Sequence, residues 1–102
     1  AKSNLAQAME LFGQAAYLSS STATYHYHYG LALIKLNRLK EAARAIERAL
    51  KAEPSNPDYL AEVGHIYLKL NLSGRAESNF EAALKIKPSH KRATEGIATL
   101  VK

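Results

Sequence analysis

The sequence predicts an all-α fold built from stacked helix hairpins. Three observations carry this: the composition, a long internal repeat, and helical spacing of small and apolar residues within each repeat. The 102 residues are 47% hydrophobic and 23% charged, with only five Gly and three Pro. That is the balance of a folded globular chain, and its many alanines favour helix. Shifting the chain by 34 residues lays 23–56 over 57–90 with twelve identities: Tyr25/Tyr59, Gly30/Gly64, Lys35/Lys69, Leu36/Leu70, Asn37/Asn71, Ala42/Ala76, Glu47/Glu81, Ala49/Ala83, Leu50/Leu84, Lys51/Lys85, Pro54/Pro88 and Ser55/Ser89. A repeat of that length marks a supersecondary unit that must stack on its neighbours to bury its apolar face.

The register extends both ways. Ala8, Phe12 and Ala15 fall under Ala42, Ile46 and Ala49; Ile97, Ala98 and Val101 fall under Val63, Gly64 and Tyr67. The expected domain plan is therefore a single repeat domain: the second half of a unit in 1–22, full units at 23–56 and 57–90, and a first half or capping helix in 91–102. Six helices are expected, over 3–19, 23–36, 39–52, 57–70, 73–86 and 91–101.

Each element has a local reason. In the first, Leu5, Met9 and Phe12 follow the three-and-four step of an amphipathic helix. Tyr17 is expected to cover its last turn. The following "LSSSTAT" (18–24) resembles a flexible linker, but its register under "AEPSNPD" makes it a turn with a Ser/Thr N-cap. In the second and fourth helices, Gly30 and Gly64 lack a side chain where a partner helix must come close. In the third and fifth, Ala42, Ala49, Ala76 and Ala83 serve the same purpose. Asn37 and Asn71 end helices, "EPSNPD" and "KPSH" end the next ones, and Pro57 suits a first helical turn.

The stretch "TATYHYHYG" (22–30) tests this reading, because strict alternation is a strand signal. On a strand His26 and His28 would share a face and offer two metal ligands. On a helix, at about 100° per residue, they point apart. The repeat register selects helix. His26 then lies inside the hairpin, Tyr25 and Tyr29 lie on packing faces (Tyr25 matched by Tyr59), and Tyr27 with His28 face outward.

At this point the residues resemble a known family. Leu60, Val63, Gly64, Tyr67, Ala76, Phe80, Ala83 and Pro88 follow the signature of the tetratricopeptide repeat. His26, Tyr29, Gly30, Leu33, Ala42, Ile46, Ala49 and Pro54 follow it in the earlier unit. The resemblance covers essentially the whole chain. It implies a right-handed superhelix whose first helices line a concave groove for a partner peptide or helix. Carried over residue by residue, the groove positions are Thr24, Tyr27, His28, Leu31 and Lys35, then Asp58, Ala61, Glu62, His65 and Lys69, then Arg92, Glu95, Thr99 and Lys102. One subclass grips the C-terminal carboxylates of heat-shock chaperones with a Lys, Asn, Asn, Lys, Arg clamp. Here Tyr27 and Leu31 stand at the first two clamp positions, Glu62 replaces the second Asn, Arg92 remains as a cation, and Gly96 stands where Arg belongs. A carboxylate-tail receptor of that kind is not expected.

Other chemistries find little footing. His28, Glu62 and His65 make a loose trio on neighbouring helices, but nothing orients a second shell, and no metal or other cofactor is expected. His90 reads as a turn residue beside Pro88. Asp58 opens a helix, where a carboxylate suits the dipole. With no paired-carboxylate, triad, phosphate-loop or HExxH signature, no enzyme activity is expected. Net charge is +5, yet "RLKEAARAIERALKAE" mixes both signs as a solvated helix face does. Nucleic-acid contact is thus a third-ranked reading. No apolar run approaches the ~20 residues of a membrane span. The absence of cysteine suits a reducing, cytoplasmic setting. The leading expectation is a non-catalytic protein-interaction module within a larger scaffold protein. The alternative is a structural spacer that self-associates through exposed half-repeat ends, since an uncovered apolar face invites a partner.

Overall fold

A computed structural model describes residues 23–100, which form five α-helices and, among these residues, no strand. They are α1 (Ala23–Lys35), α2 (Leu39–Ala52), α3 (Pro57–Lys69), α4 (Ser73–Ile86) and α5 (Lys91–Leu100). Their ends fall within one residue of the expected ones. The sixth helix expected, over 3–19, lies outside the described residues, as do residues 18–22 of the turn expected over 18–24 and the groove position Lys102. The chain divides into two compact units, Ala1–Pro54 and Ser55–Lys102. The division falls inside the turn that separates the repeats.

In the first unit, α1 and α2 fold back on one another through residues 36–38. Asn37 takes φ of 60°, the left-handed conformation that asparagine tolerates better than other side-chain-bearing residues. Its N–H donates to the Ile34 carbonyl at 2.9 Å, and the Arg38 N–H donates to the Leu33 carbonyl at 2.9 Å. This paired arrangement satisfies carbonyls that the helix end leaves open. A Cβ built on Gly30 would lie 2.5 Å from Ile46 Cγ1 and 3.3 Å from the Ala42 carbonyl oxygen, so only glycine lets α1 approach α2 this closely. Leu33, Ala42, Ile46 and Ala49 are fully buried around that contact.

The second unit repeats the device and adds a helix. Asn71 has φ of 63°, with Asn71 N–H to the Leu68 carbonyl at 3.0 Å and Leu72 N–H to the Tyr67 carbonyl at 2.9 Å. Upstream, Asn56 caps α3, its side-chain oxygen accepting from Asp58 N–H at 3.0 Å and Tyr59 N–H at 3.3 Å, with Pro57 in the first turn. Arg75 lies over the buried Tyr67 ring, 5.8 Å from its centroid, and ties the start of α4 to α3.

Phe80 is the centre of this unit. It is fully buried, worth roughly 2–3 kcal/mol in surface removed from water. A Cβ on Gly64 would meet its ring at 2.6 Å, and one on Gly96 would collide with it from α5. The His65 ring meets it edge-on, centroids 4.9 Å apart. Two glycines from two helices thus clasp one aromatic ring.

Gly96, which stands where the chaperone-tail clamp would need an arginine, is the residue that lets α5 reach Phe80. Ala98, in register with Gly64, is exposed, while Ala93 and Gly96 are the buried small residues of α5. The reason is geometric: Gly64 faces the second helix of its own hairpin, and no such helix follows α5 among the described residues. Tyr25 is 40% exposed although Tyr59 is 7% exposed, so the matched tyrosines do not pack equivalently. Tyr25 stands in the first turn of α1, where no described element covers it.

Candidate functional site

The alternation in 22–30 resolves onto separate faces of α1. His26 and Gly30 are buried, Tyr27 and Tyr29 are half-buried, and Thr24 and His28 are exposed. Burial of His26 matches the hairpin-interior position expected for it. The groove candidates Thr24, Tyr27, His28, Leu31 and Lys35 recur at three- and four-residue steps and are all exposed or half-buried. The Tyr27 and His28 rings lie 5.7 Å apart at a tilt of 57°. This α1 face combines an aromatic ring, an imidazole, an aliphatic side chain and an ammonium.

In the second unit the structure joins candidates into pairs. Arg92 places its guanidinium against the Glu62 carboxylate, Nε to Oε2 at 3.1 Å and Nη2 to Oε1 at 3.1 Å. One turn along α3, His65 Nε2 lies 3.0 Å from the Arg92 carbonyl oxygen. A carbonyl only accepts, so Nε2 carries the proton and donates. Arg92 is thereby held at both backbone and side chain by α3. Glu95 and Lys69 are exposed, and Thr99 spends its hydroxyl on the Glu95 carbonyl at 3.0 Å. Ala61 is fully buried and offers a ligand nothing, since a methyl group has no reach beyond the longer side chains around it.

His90 is more than the turn residue expected from its place beside Pro88. It is buried, and its Nε2 lies 2.8 Å from Asp58 Oδ1. Its Nδ1 accepts the Ala93 N–H at 3.2 Å, and its carbonyl accepts the Thr94 hydroxyl at 2.9 Å. The imidazole therefore does the work of an N-cap for α5, a role usually held by Ser, Thr, Asp or Asn. Asp58 sits in the first turn of α3, where its charge suits the dipole as expected. The sequence reading missed its link to His90, whose only signal was a histidine directly before a helix start.

Within the second unit, Glu62 and His65 are both committed to Arg92. Among the described residues no three His, Cys, Asp or Glu side chains converge as a metal group. No helix among them is long and apolar enough to cross a membrane.

Two hairpins with a glycine facing the second helix, and small residues lining that helix, define a helical-repeat protein. The tetratricopeptide repeat model matches residues 23–56, and a second model of the same repeat matches 57–90. The chain belongs to the tetratricopeptide repeat family. No curated protein matches it by sequence. Among solved structures it is similar to the second tetratricopeptide domain of human RPAP3, solved in complex with the HSP70 peptide SGPTIEEVD. That match has 20% identity and a TM-score of 0.91, covering 99% of this chain and 84% of that one. It is also similar to MamA (23% identity, TM-score 0.86, covering 90% of this chain and 54% of that one). A third is YrrB, described as having an unusual peptide-binding site (19% identity, TM-score 0.86, 92% and 48% coverage). This chain thus spans about half the length of MamA and of YrrB. At these identities the likeness speaks for the fold.

Proposed function

We propose that this chain is a non-catalytic protein-interaction module that holds a peptide or helix of a partner protein against the first helices of its repeats. The observation that carries this is the α1 face formed by Thr24, Tyr27, His28, Leu31 and Lys35, which stays accessible while the opposite face of the helix is spent on α2. An accessible aromatic flanked by hydrogen-bonding and charged groups is the composition of an interaction hot spot. Peptide complexes of structural neighbours support the same use. The α3 residues Asp58, Glu62, His65 and Lys69 and the α5 residues Arg92, Glu95 and Thr99 belong to the proposed surface of the second unit.

The test is affinity capture with the purified chain, wild type beside a Tyr27→Ala/Lys35→Ala variant of unchanged circular dichroism. A partner retained by wild type and lost by the variant is the expected result. Equal retention by both overturns the assignment of the α1 face.

A further inference from the structure

Glu62 and Arg92 meet in the geometry in which an arginine takes any carboxylate, two roughly parallel N–H···O contacts from one guanidinium edge. The acid is the secluded member of the pair, its side chain 13% exposed against 50% for the arginine. Glu62 lies in the second turn of α3 and Arg92 in the first turn of α5, so the contact spans two helices. His65 holds the Arg92 carbonyl from the same helix as Glu62, which fixes the backbone that carries the guanidinium. A carboxylate arriving at Arg92 meets an occupied edge and a second negative charge within a few ångströms. Like charges at such separations disfavour each other most where solvent screens least.

We propose that Glu62 is a specificity-determining residue. Its carboxylate fills the Arg92 fork in place of a ligand carboxylate, and it directs this α3–α5 surface toward partner segments that are neutral or basic where they cross Arg92. Segments that present an acidic side chain or a free C-terminus there are rejected. The inference rests on the interaction-module reading for its biological meaning, but its physical content is tested without the natural partner.

The probes are a fluorescein-labelled hexapeptide with two acidic residues at a free C-terminus, and an uncharged hexapeptide ending in an amide. Fluorescence anisotropy against the full chain compares wild type, Glu62→Gln, and Glu62→Gln/Arg92→Gln. Gln keeps the size of Glu62 while removing its charge; Glu62→Thr serves as an independent second variant, with helicity checked by circular dichroism. The acidic peptide should bind Glu62→Gln at least about tenfold more tightly than wild type, the scale of one charge-assisted hydrogen bond. The gain should vanish in the double variant, and the amide peptide should not discriminate. Equal binding of the acidic peptide by wild type and both Glu62 variants overturns the proposal, as does a gain that survives Arg92→Gln. Partner capture that persists when no such gain is seen sinks this inference alone. A gain in a chain whose wild type captures no partner sinks the interaction-module reading and leaves this inference standing.

Discussion

His90 and Asp58 tie the start of α5 to the start of α3 through a 2.8 Å contact between Nε2 and Oδ1, while the opposite ring nitrogen caps α5. The backbone N–H of Ala93 can only donate, so the Nδ1 it reaches must be bare. The ring proton then sits on Nε2 and is given to the carboxylate. One imidazole serves two helices, each through a different nitrogen.

This fixes a tautomer that spectroscopy can read. Long-range proton–nitrogen correlation on the neutral His90 ring should show Nε2 protonated and Nδ1 unprotonated. The reverse tautomer is incompatible with the cap.

The same contact carries stability. His90→Ala removes both the cap and the interhelix hydrogen bond, and should lower urea-denaturation stability by about 1–3 kcal/mol. His90→Asn restores a capping side chain and should recover the larger share. Equal losses in the two variants would show that the cap contributes nothing.

Glycine-to-alanine changes should differ in sign along the second unit. Gly74 has nothing within 4 Å of the added methyl, so Gly74→Ala should stabilise by about 0.5 kcal/mol through the unfolded state. At Gly64 and Gly96 the methyl meets the buried Phe80 ring, so each change should destabilise by about 1–3 kcal/mol. Combining Gly96→Ala with Phe80→Leu should restore part of that loss, a coupling measurable in a double-mutant cycle.

The hairpin turns demand positive φ. Asn37→Gly and Asn71→Gly should be near neutral in thermal unfolding. Asn37→Ala and Asn71→Ala should each lower stability by about 1 kcal/mol, because a methyl side chain is disfavoured at φ near 60°. Equal effects of Gly and Ala would refute the turn argument.

By contrast, the Arg38–Glu41 pair is short at 2.8 Å but exposed on both sides. Glu41→Gln should change stability by less than about 0.5 kcal/mol, since solvent screens the pair and ordering two long side chains offsets the attraction. A larger loss would place this pair among the contacts that hold α2.

Much of this architecture was legible beforehand, for a physical reason. Gly30 and Gly64, the alanines opposite them, and Asn37 and Asn71 act within one hairpin, where spacing along the chain fixes spacing in space. At α5 the register aligns Ala98 with Gly64, but the contact with the preceding hairpin is made by Gly96, two residues earlier and on another face. His90 was likewise read from its neighbours in the chain, when its partners are Ala93 one turn ahead and Asp58 on another helix.

The sequence by itself determined the repeat length, the helices, the turn residues and the small positions at which helices touch. All of these follow from backbone preference and periodic burial within windows of a few residues. Only the tertiary structure decided that Glu62 faces Arg92, that His65 holds the Arg92 carbonyl, and that His90 reaches Asp58. Those pairs lie about thirty residues apart, 30 for Glu62 and Arg92 and 32 for His90 and Asp58. Their contact depends on how α3 and α5 cross, and on which rotamer each long side chain adopts once they do. The residues expected to line a groove thus include an accessible face on α1 and, in the second unit, one ion pair and two histidine hydrogen bonds between α3 and α5.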